Sequence, residues 1–115
     1  MKPGDIVLAA LPQADRSLKL RPALVLCSLP PFGDFLLCGV STQTRHCREG
    51  FDEMIDASDG DFGGSGLRRP SVTRLGFLGS VPTSQIAGIL GTIESDRLAR
   101  LRSRLARRLV EGDSF

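Results

Sequence analysis

A chain of 115 residues points to one domain rather than two, so we expect a single domain over residues 1–115. Its apolar fraction of 41% and charged fraction of 24% are those of an ordinary soluble globular protein, and no apolar run approaches the roughly 18 residues of a membrane-spanning helix. The net charge is only +2, yet thirteen of the fifteen basic residues are arginine, whose planar guanidinium suits bidentate contacts with phosphate or carboxylate.

Up to Ile93, apolar runs alternate with turn residues at short intervals, a pattern typical of a small antiparallel barrel. Strands are predicted at residues 5–11, 22–29, 35–40, 51–57, 71–78 and 85–93. Residues 12–20 and 43–50 predict polar or charged loops, and the glycine-rich residues 58–66 predict a mobile segment.

The C-terminal segment changes to helical spacing. Ser95 is a predicted N-cap, and Asp96 suits the positive start of a helix. One face carries a row of leucines, which we expect to bury against the barrel: Leu98, Leu101, Leu105 and Leu109. The other faces carry six arginines, which we expect to lie outside: Arg97, Arg100, Arg102, Arg104, Arg107 and Arg108.

The three cysteines do not indicate a disulfide framework, because their number is odd. Cys27 and Cys38 lie within strand-like apolar runs, so we expect buried free thiols in a reducing cytoplasm. His46 and Cys47 do not match a zinc spacing, and a single histidine does not complete such a site. We therefore expect a cytoplasmic protein with no metal and no other cofactor.

Arg21 stands directly before Pro22 and an apolar strand. A proline disfavours the helical conformation at the residue before it, so we expect Arg21 to be extended and to project from the rim of a rigid sheet. A guanidinium cannot act as a general base near neutral pH. It can instead hold a phosphate and stabilise charge that develops at phosphorus. The alternative is a structural ion pair with a carboxylate.

A second polar cluster, Ser41–Thr42–Gln43, follows the next apolar strand. Hydroxyl and amide groups at a barrel edge can bind phosphate oxygens, a ribose 2′-hydroxyl or base edges, although a simple strand-end turn is the alternative. Further positive charge comes from Arg45, Arg48, Arg68, Arg69 and Arg74. Phe32, Phe51 and Phe77 can stack on bases or belong to the core.

Several stretches, in this order and spacing, resemble the MazF/PemK toxin family: "GDIVLAAL", "RPALVLC", "VSTQ", "SVTRLGFL" and "GILGTIESDRL". These are small ribonuclease toxins of bacterial type II toxin–antitoxin pairs. The resemblance implies a mainly β (α+β) fold, an SH3-like antiparallel β-barrel with a C-terminal amphipathic helix. It also implies a homodimer and an antitoxin partner, for which we expect an acidic tail. The implied activity is metal-independent cleavage of single-stranded RNA, in which the 2′-hydroxyl attacks the adjacent phosphorus and leaves a 2′,3′-cyclic phosphate.

The resemblance implies three catalytic residues. The family's catalytic arginine falls on Arg21, its hydroxyl residue falls on Ser41, where threonine is commoner, and an arginine of the later strand falls on Arg74. We expect RNA contacts from Arg16, Lys19, Thr42, Gln43, Arg45, Arg68, Arg69 and Phe77.

Two segments depart from the family pattern. Residues 15–20 replace a loop that often reads Gly-x-Glu-Gln-x-Gly, and residues 76–80 replace Asp-Gln or Glu-Gln followed by Arg-Thr. The second departure removes a carboxylate that can serve as base, so general-base chemistry has no assigned residue. Two other functions stay open. One is a non-catalytic binding module, such as the related gyrase-directed CcdB toxins. The other is a plain RNA-binding barrel, which the arginines favour and the modest net charge disfavours.

Overall fold

In a computed structural model that describes residues 1–112, six strands form one antiparallel sheet. The strands are β1 (Asp5–Pro12), β2 (Leu18–Leu29), β3 (Asp34–Ser41), β4 (Glu53–Ile55), β5 (Ser71–Val81) and β6 (Ile86–Thr92). Their order across the sheet is β4-β5-β3-β2-β1-β6. The sheet curls into a half-barrel, so the predicted mainly β, SH3-like architecture is confirmed. Residues 113–115 of the predicted domain lie outside the described part of the chain.

Both faces of the central strands are buried, because successive side chains of a strand point to opposite faces. One face packs against the C-terminal helix in a cluster that includes Ile6, Leu24 and Leu101. The other face forms a second cluster around Val7 and Val25. This double burial explains the nearly continuous apolar runs that predicted β1 and the second half of β2.

β1 and β2 form a longer hairpin than we expected from the sequence. Their pairing runs from Ile6 opposite Leu24 to Pro12 opposite Leu18, so only residues 13–17 form the turn. The predicted loop over residues 12–20 is therefore wrong at both ends. The first four residues of β2, Leu-Lys-Leu-Arg, alternate apolar and polar side chains, but all four are exposed, so no core contact places them. Arg21 consequently lies within β2, opposite Ala9, rather than at the strand's entrance.

The segment between β4 and β5 bridges the two edges of the curled sheet. β4 covers only Glu53–Ile55 of the predicted strand, and the segment that we expected to be mobile contains a short helix, α1 (Phe62–Ser65). This segment packs on β6 so closely that a Cβ on Gly91 would overlap the carbonyl oxygen of Gly64. Because the segment follows β4 at one edge of the sheet and contacts β6 at the other, it joins the two edges.

The predicted amphipathic helix is confirmed as α2 (Ser95–Glu111). Its N-cap is Glu94 rather than Ser95, and no side chain caps it. Leu101 and Leu105 are buried as predicted, whereas the prediction for Leu109 is wrong, since burial ends one turn earlier and 72% of this side chain is exposed. No helix in residues 1–112 is both long enough and apolar enough to cross a membrane.

Arg97 contradicts the prediction that all helix arginines lie outside, because it is buried at the start of α2. Its Nε and Nη2 donate to the two carboxylate oxygens of Asp61 at 2.8 and 3.0 Å, and its Nη1 donates to Glu53 at 3.0 Å. The hydrogen bond from Arg97 holds the pKa of Asp61 below its usual range. The hydropathy pattern of α2 could not predict that Arg97 is buried, because its carboxylate partners come from the distant segment between β3 and β5.

The three cysteines are free thiols, as predicted. Only Cys38 is fully buried, and burial raises the pKa of its thiol to about 12. Cys27 and Cys47 are half-buried, because each sits where a strand or loop borders solvent.

Candidate functional site

A cavity of about 630 Å³ opens where β2, β3 and β5 approach the segment after α1. β2 contributes Arg21 and Pro22, the end of β3 contributes Ser41, and β5 contributes Arg74. The rest of the described lining consists of Leu11, Gln13, Gly39, Val40, Thr42, Gln43, His46, Gly66, Leu67, Arg68, Arg69, Ser71, Phe77 and Leu90.

Strand register places the three predicted catalytic side chains on one face of the sheet. Ala23 of β2 pairs with Gly39 of β3, and two residues further along these strands stand Arg21 and Ser41. Gly39 in turn pairs with Arg74 of β5. Residues two apart in a strand, and residues directly opposite each other, share a face. Arg21, Ser41 and Arg74 therefore converge on the same cavity.

A strand irregularity brings an aromatic ring into the cavity wall. Cys38 pairs with Leu78 but Gly39 pairs with Arg74, so Leu75, Gly76 and Phe77 lie outside the regular ladder. The ring of Phe77 packs over Gly39, where an added Cβ would lie only 3.3 Å from its Cγ. Phe77 also packs against the buried cluster around Val7. The ring is thus held in place, with its free surface toward the cavity.

The cavity carries positive charge that no neighbouring carboxylate neutralises. Its described lining includes four arginines but no aspartate or glutamate: Arg21, Arg68, Arg69 and Arg74. In the part of the chain that the structure describes, no ion pair involves any of these four arginines; the ion pairs of Lys2, Arg97, Arg100 and Arg104 lie elsewhere. The structural alternative for Arg21, a pair with a carboxylate, is therefore not observed within residues 1–112. Four unpaired guanidinium groups favour an anionic ligand with several oxygen atoms.

Three of the predicted RNA-binding residues lie outside the cavity lining. Arg16 occupies the β1–β2 turn with a φ of 68°. Lys19 is exposed on β2, two residues before Arg21 and thus on the same strand face. Arg45 is exposed, and its Nη2 donates to Oε1 of Gln43 at 3.4 Å. These side chains can extend a binding surface beyond the cavity, whereas the other predicted residues form the cavity itself.

Sequence reasoning missed His46 as a lining residue. A 3₁₀ turn, Thr44–His46, follows β3 and brings this histidine to the cavity. Residues 43–50 lack periodicity, so they predicted only a charged loop, and nothing in them indicated where a side chain would point. In the described chain, no group of three or more His, Cys, Asp or Glu side chains is placed to hold a metal ion.

Residues 2–109 match the family described as PemK-like, MazF-like toxin of type II toxin–antitoxin systems. The chain belongs to this family. The resemblance seen in the sequence is thereby confirmed over nearly the whole chain. Type II toxins are paired with an antitoxin, which is the partner that membership in this family implies.

Among solved structures, the chain is similar to the Mycobacterium tuberculosis toxin MazF-mt6. The sequence identity is 21%, the match covers 92% of this chain and 96% of that one, and the TM-score is 0.64. At this identity the similarity shows that the two toxins share a fold. No curated protein sequence matches this MazF-like toxin.

Proposed function

We propose that this MazF-like toxin is an endoribonuclease that cleaves single-stranded RNA in the cavity. The observation that carries the proposal is the convergence of Arg21, Ser41 and Arg74 on one sheet face, in a cavity whose described lining has no carboxylate. Such a cavity attracts a phosphodiester and can stabilise the negative charge that grows as the phosphorus is attacked. Family membership supports the same activity.

In the proposed reaction, the RNA's own 2′-oxygen attacks the adjacent phosphorus, the bond to the 5′-oxygen breaks, and a 2′,3′-cyclic phosphate remains. Arg21 clamps two phosphate oxygens with its guanidinium fork. Ser41 accepts the N–H of Gln43 at its Oγ (3.0 Å), so its own hydroxyl proton is free to donate to the phosphate. Arg74 adds a second cation on the same face. Because the nucleophile is a 2′-hydroxyl, DNA is not cleaved.

The proposal includes no metal, since the protein supplies cationic groups itself and the described residues offer no ligand cluster. We further propose that the toxin acts as a homodimer in the cytoplasm, where RNA and antitoxin meet. An antitoxin with an acidic tail would complement the arginines of the cavity and prevent RNA from entering it.

Replacing Arg21 tests the proposal. We expect Arg21→Ala to lower the cleavage rate by several hundred-fold, because losing one preorganised charge donor typically costs about 10²–10³ in rate. Arg21→Lys should also be slow, since a point charge cannot form the bidentate clamp. Arg102→Ala is the matched control, because Arg102 is exposed on α2 and is not part of the cavity. The assay follows cleavage of a mixed-sequence RNA in the presence of chelator.

Thermal melting of each variant would show whether the fold is retained. If Arg21→Ala cleaves as fast as the wild-type protein, Arg21 has a structural role only. Activity that chelator abolishes and magnesium restores would contradict the metal-independent reaction. A wild-type protein that arrests growth without cleaving RNA would instead favour a non-catalytic binding module.

A further inference from the structure

The cavity supplies cations and hydroxyl groups but leaves one chemical role unfilled. Deprotonation of a 2′-hydroxyl needs a group that can accept a proton, and the arginines cannot do so because they stay protonated. Among the described lining residues there is no aspartate, glutamate or lysine, and the one histidine is His46. Histidine is the side chain that ordinarily exchanges a proton near neutral pH.

We infer that His46 is the general base that takes the proton from the RNA 2′-hydroxyl. The inference rests on the proposed endoribonuclease function and adds a residue to it. It would also explain how this chain works without the carboxylate that residues 76–80 lack. His46 is exposed and lines the cavity, and two sets of hydrogen bonds fix the backbone before and after the turn that carries it.

The first set joins His46 to Ser41. The N–H of Gln43 donates to Oγ of Ser41 at 3.0 Å, and the N–H of His46 donates to the carbonyl oxygen of Gln43 at 3.1 Å. A further bond of 2.9 Å, from the N–H of Thr44 to the carbonyl oxygen of Thr42, tightens the same stretch. The base and the catalytic hydroxyl are therefore separated by a short segment with a defined conformation.

The second set anchors the residues that follow the turn to β5, through the buried carboxylate of Asp52. One oxygen of this carboxylate accepts the N–H of Arg48 and the other accepts the N–H of Leu75, each at 2.9 Å. Leu75 directly follows Arg74 in the chain. The backbone around His46 is thus tied to two of the three strands that bear catalytic groups, β3 and β5, and a fixed backbone is one part of the preorganisation that proton transfer needs.

The proton and electron balance of the step is complete. A nitrogen lone pair of His46 takes the 2′-hydroxyl proton as the 2′-oxygen forms its bond to phosphorus. The electron pair of the P–O5′ bond leaves with the 5′-oxygen, which takes a proton from water. His46 then releases its proton to solvent. The cationic groups of the same cavity are Arg21, Arg68, Arg69 and Arg74, and they hold the phosphate during the transfer.

The test compares His46→Ala and His46→Gln with the wild-type protein, using RNA cleavage in chelator at saturating substrate. Because a general base contributes about 10²–10⁴ in rate, both variants should be slower by that factor. A 2′-O-methyl RNA of the same sequence should bind them as tightly as it binds the wild-type protein. Free imidazole should restore part of the activity of His46→Ala. The matched control is Glu49→Gln, because Glu49 is exposed in the same loop and does not line the cavity.

Each outcome supports or overturns the inference. Full activity of both variants, with Arg21→Ala inactive, would remove His46 from the mechanism and leave the endoribonuclease function intact. Loss of cleavage that imidazole does not restore, or that accompanies lost RNA binding, would also overturn the role as base. A wild-type protein that cleaves no RNA would refute the underlying function itself.

Discussion

Pro22 has a structural consequence that extends to the cavity. It has no N–H to donate, and the β2–β3 pairing ends at Ala23, the residue that follows it. The two strands therefore part where Arg21 and Ser41 lie, and the side chains of both border the resulting gap. Arg21 itself remains fixed, since its backbone pairs with Ala9 of β1. A single proline thus helps both to open the site and to orient its main cation.

Phe77 gives a prediction at the scale of one residue. Under the proposed function its ring stacks on a base, so Phe77→Leu should weaken RNA binding by about 1–3 kcal/mol, the usual contribution of one stacked base. Leucine keeps most of the packing over Gly39 and thereby limits any loss of stability. The measurement is the Kd for a 2′-O-methyl RNA. Phe32→Leu is the control, because Phe32 is 88% exposed outside the cavity. Equal Kd values for the two variants would place Phe77 in the core alone.

At the scale of elements, the contact between the α1 segment and β6 limits which residues can occupy two glycine positions. A side chain on Gly66 would overlap the backbone of Leu90, and one on Gly91 would overlap the backbone of Gly64 and Ser65. Leu90 and Gly66 both line the cavity. The close packing that joins the two edges of the sheet therefore also forms one wall of the site.

We expect Gly91→Ala to destabilise the fold by about 1–3 kcal/mol, because an added methyl group meets backbone atoms that have no room to move. Gly88→Ala is the matched control on the same strand, where an added Cβ would meet nothing within 4 Å. Surface substitutions of that kind usually change stability by less than about 0.5 kcal/mol. Urea unfolding of both variants measures the difference. Equal stabilities would show that the α1 segment is not packed on β6 as described.

Elements with an apolar run between turn residues, or with helical spacing, could be predicted from the sequence, as β1, β3, β6 and α2 show. The first half of β2 could not, because its exposed residues are placed by pairing with β1 rather than by burial. The convergence of Arg21 and Ser41 followed from the resemblance, whereas His46 and Asp52 required the course of an irregular loop. The burial of Arg97 depends on carboxylates more than thirty residues away in the chain.

Across the whole molecule, the net charge of +2 does not show that the arginines include two groups with different surroundings. The cavity arginines have no acidic partner among the described residues. In contrast, Arg97, Arg100 and Arg104 of α2 converge on the carboxylate of Glu53. This second group of arginines connects α2 to β4 and to the segment between β4 and β5. Charge that stabilises the fold is thereby kept apart from charge that is available to a ligand.

The ion pairs of these α2 arginines make stability depend on pH. The hydrogen bond from Arg97 lowers the pKa of Asp61. Burial alone would raise the pKa of Glu53, but the hydrogen bond and charge of Arg100, with the charges of Arg104 and Arg97, lower it overall. A carboxyl group whose pKa is lower in the folded state stabilises the fold fully above its unfolded pKa. That contribution is lost as the pH falls through the folded pKa.

The free energy of unfolding should therefore be level above about pH 5 and decrease below about pH 4, near the ordinary carboxyl pKa values. Arg97→Met should lower the free energy of unfolding by about 3–5 kcal/mol at pH 7, because it leaves the buried carboxylate of Asp61 without its arginine and removes one of the three arginines that meet Glu53. The difference in free energy of unfolding between this variant and the wild-type protein should decrease as acid protonates Asp61 and Glu53, since a neutral carboxyl group gains little from a nearby cation. For Arg102→Met, on the exposed face of α2, the free energy of unfolding should differ from that of the wild-type protein by the same amount at every pH. Urea unfolding at several pH values from 3 to 7 measures all three curves, and a deficit of Arg97→Met that stays constant down to pH 3 would contradict the assigned charge pairing.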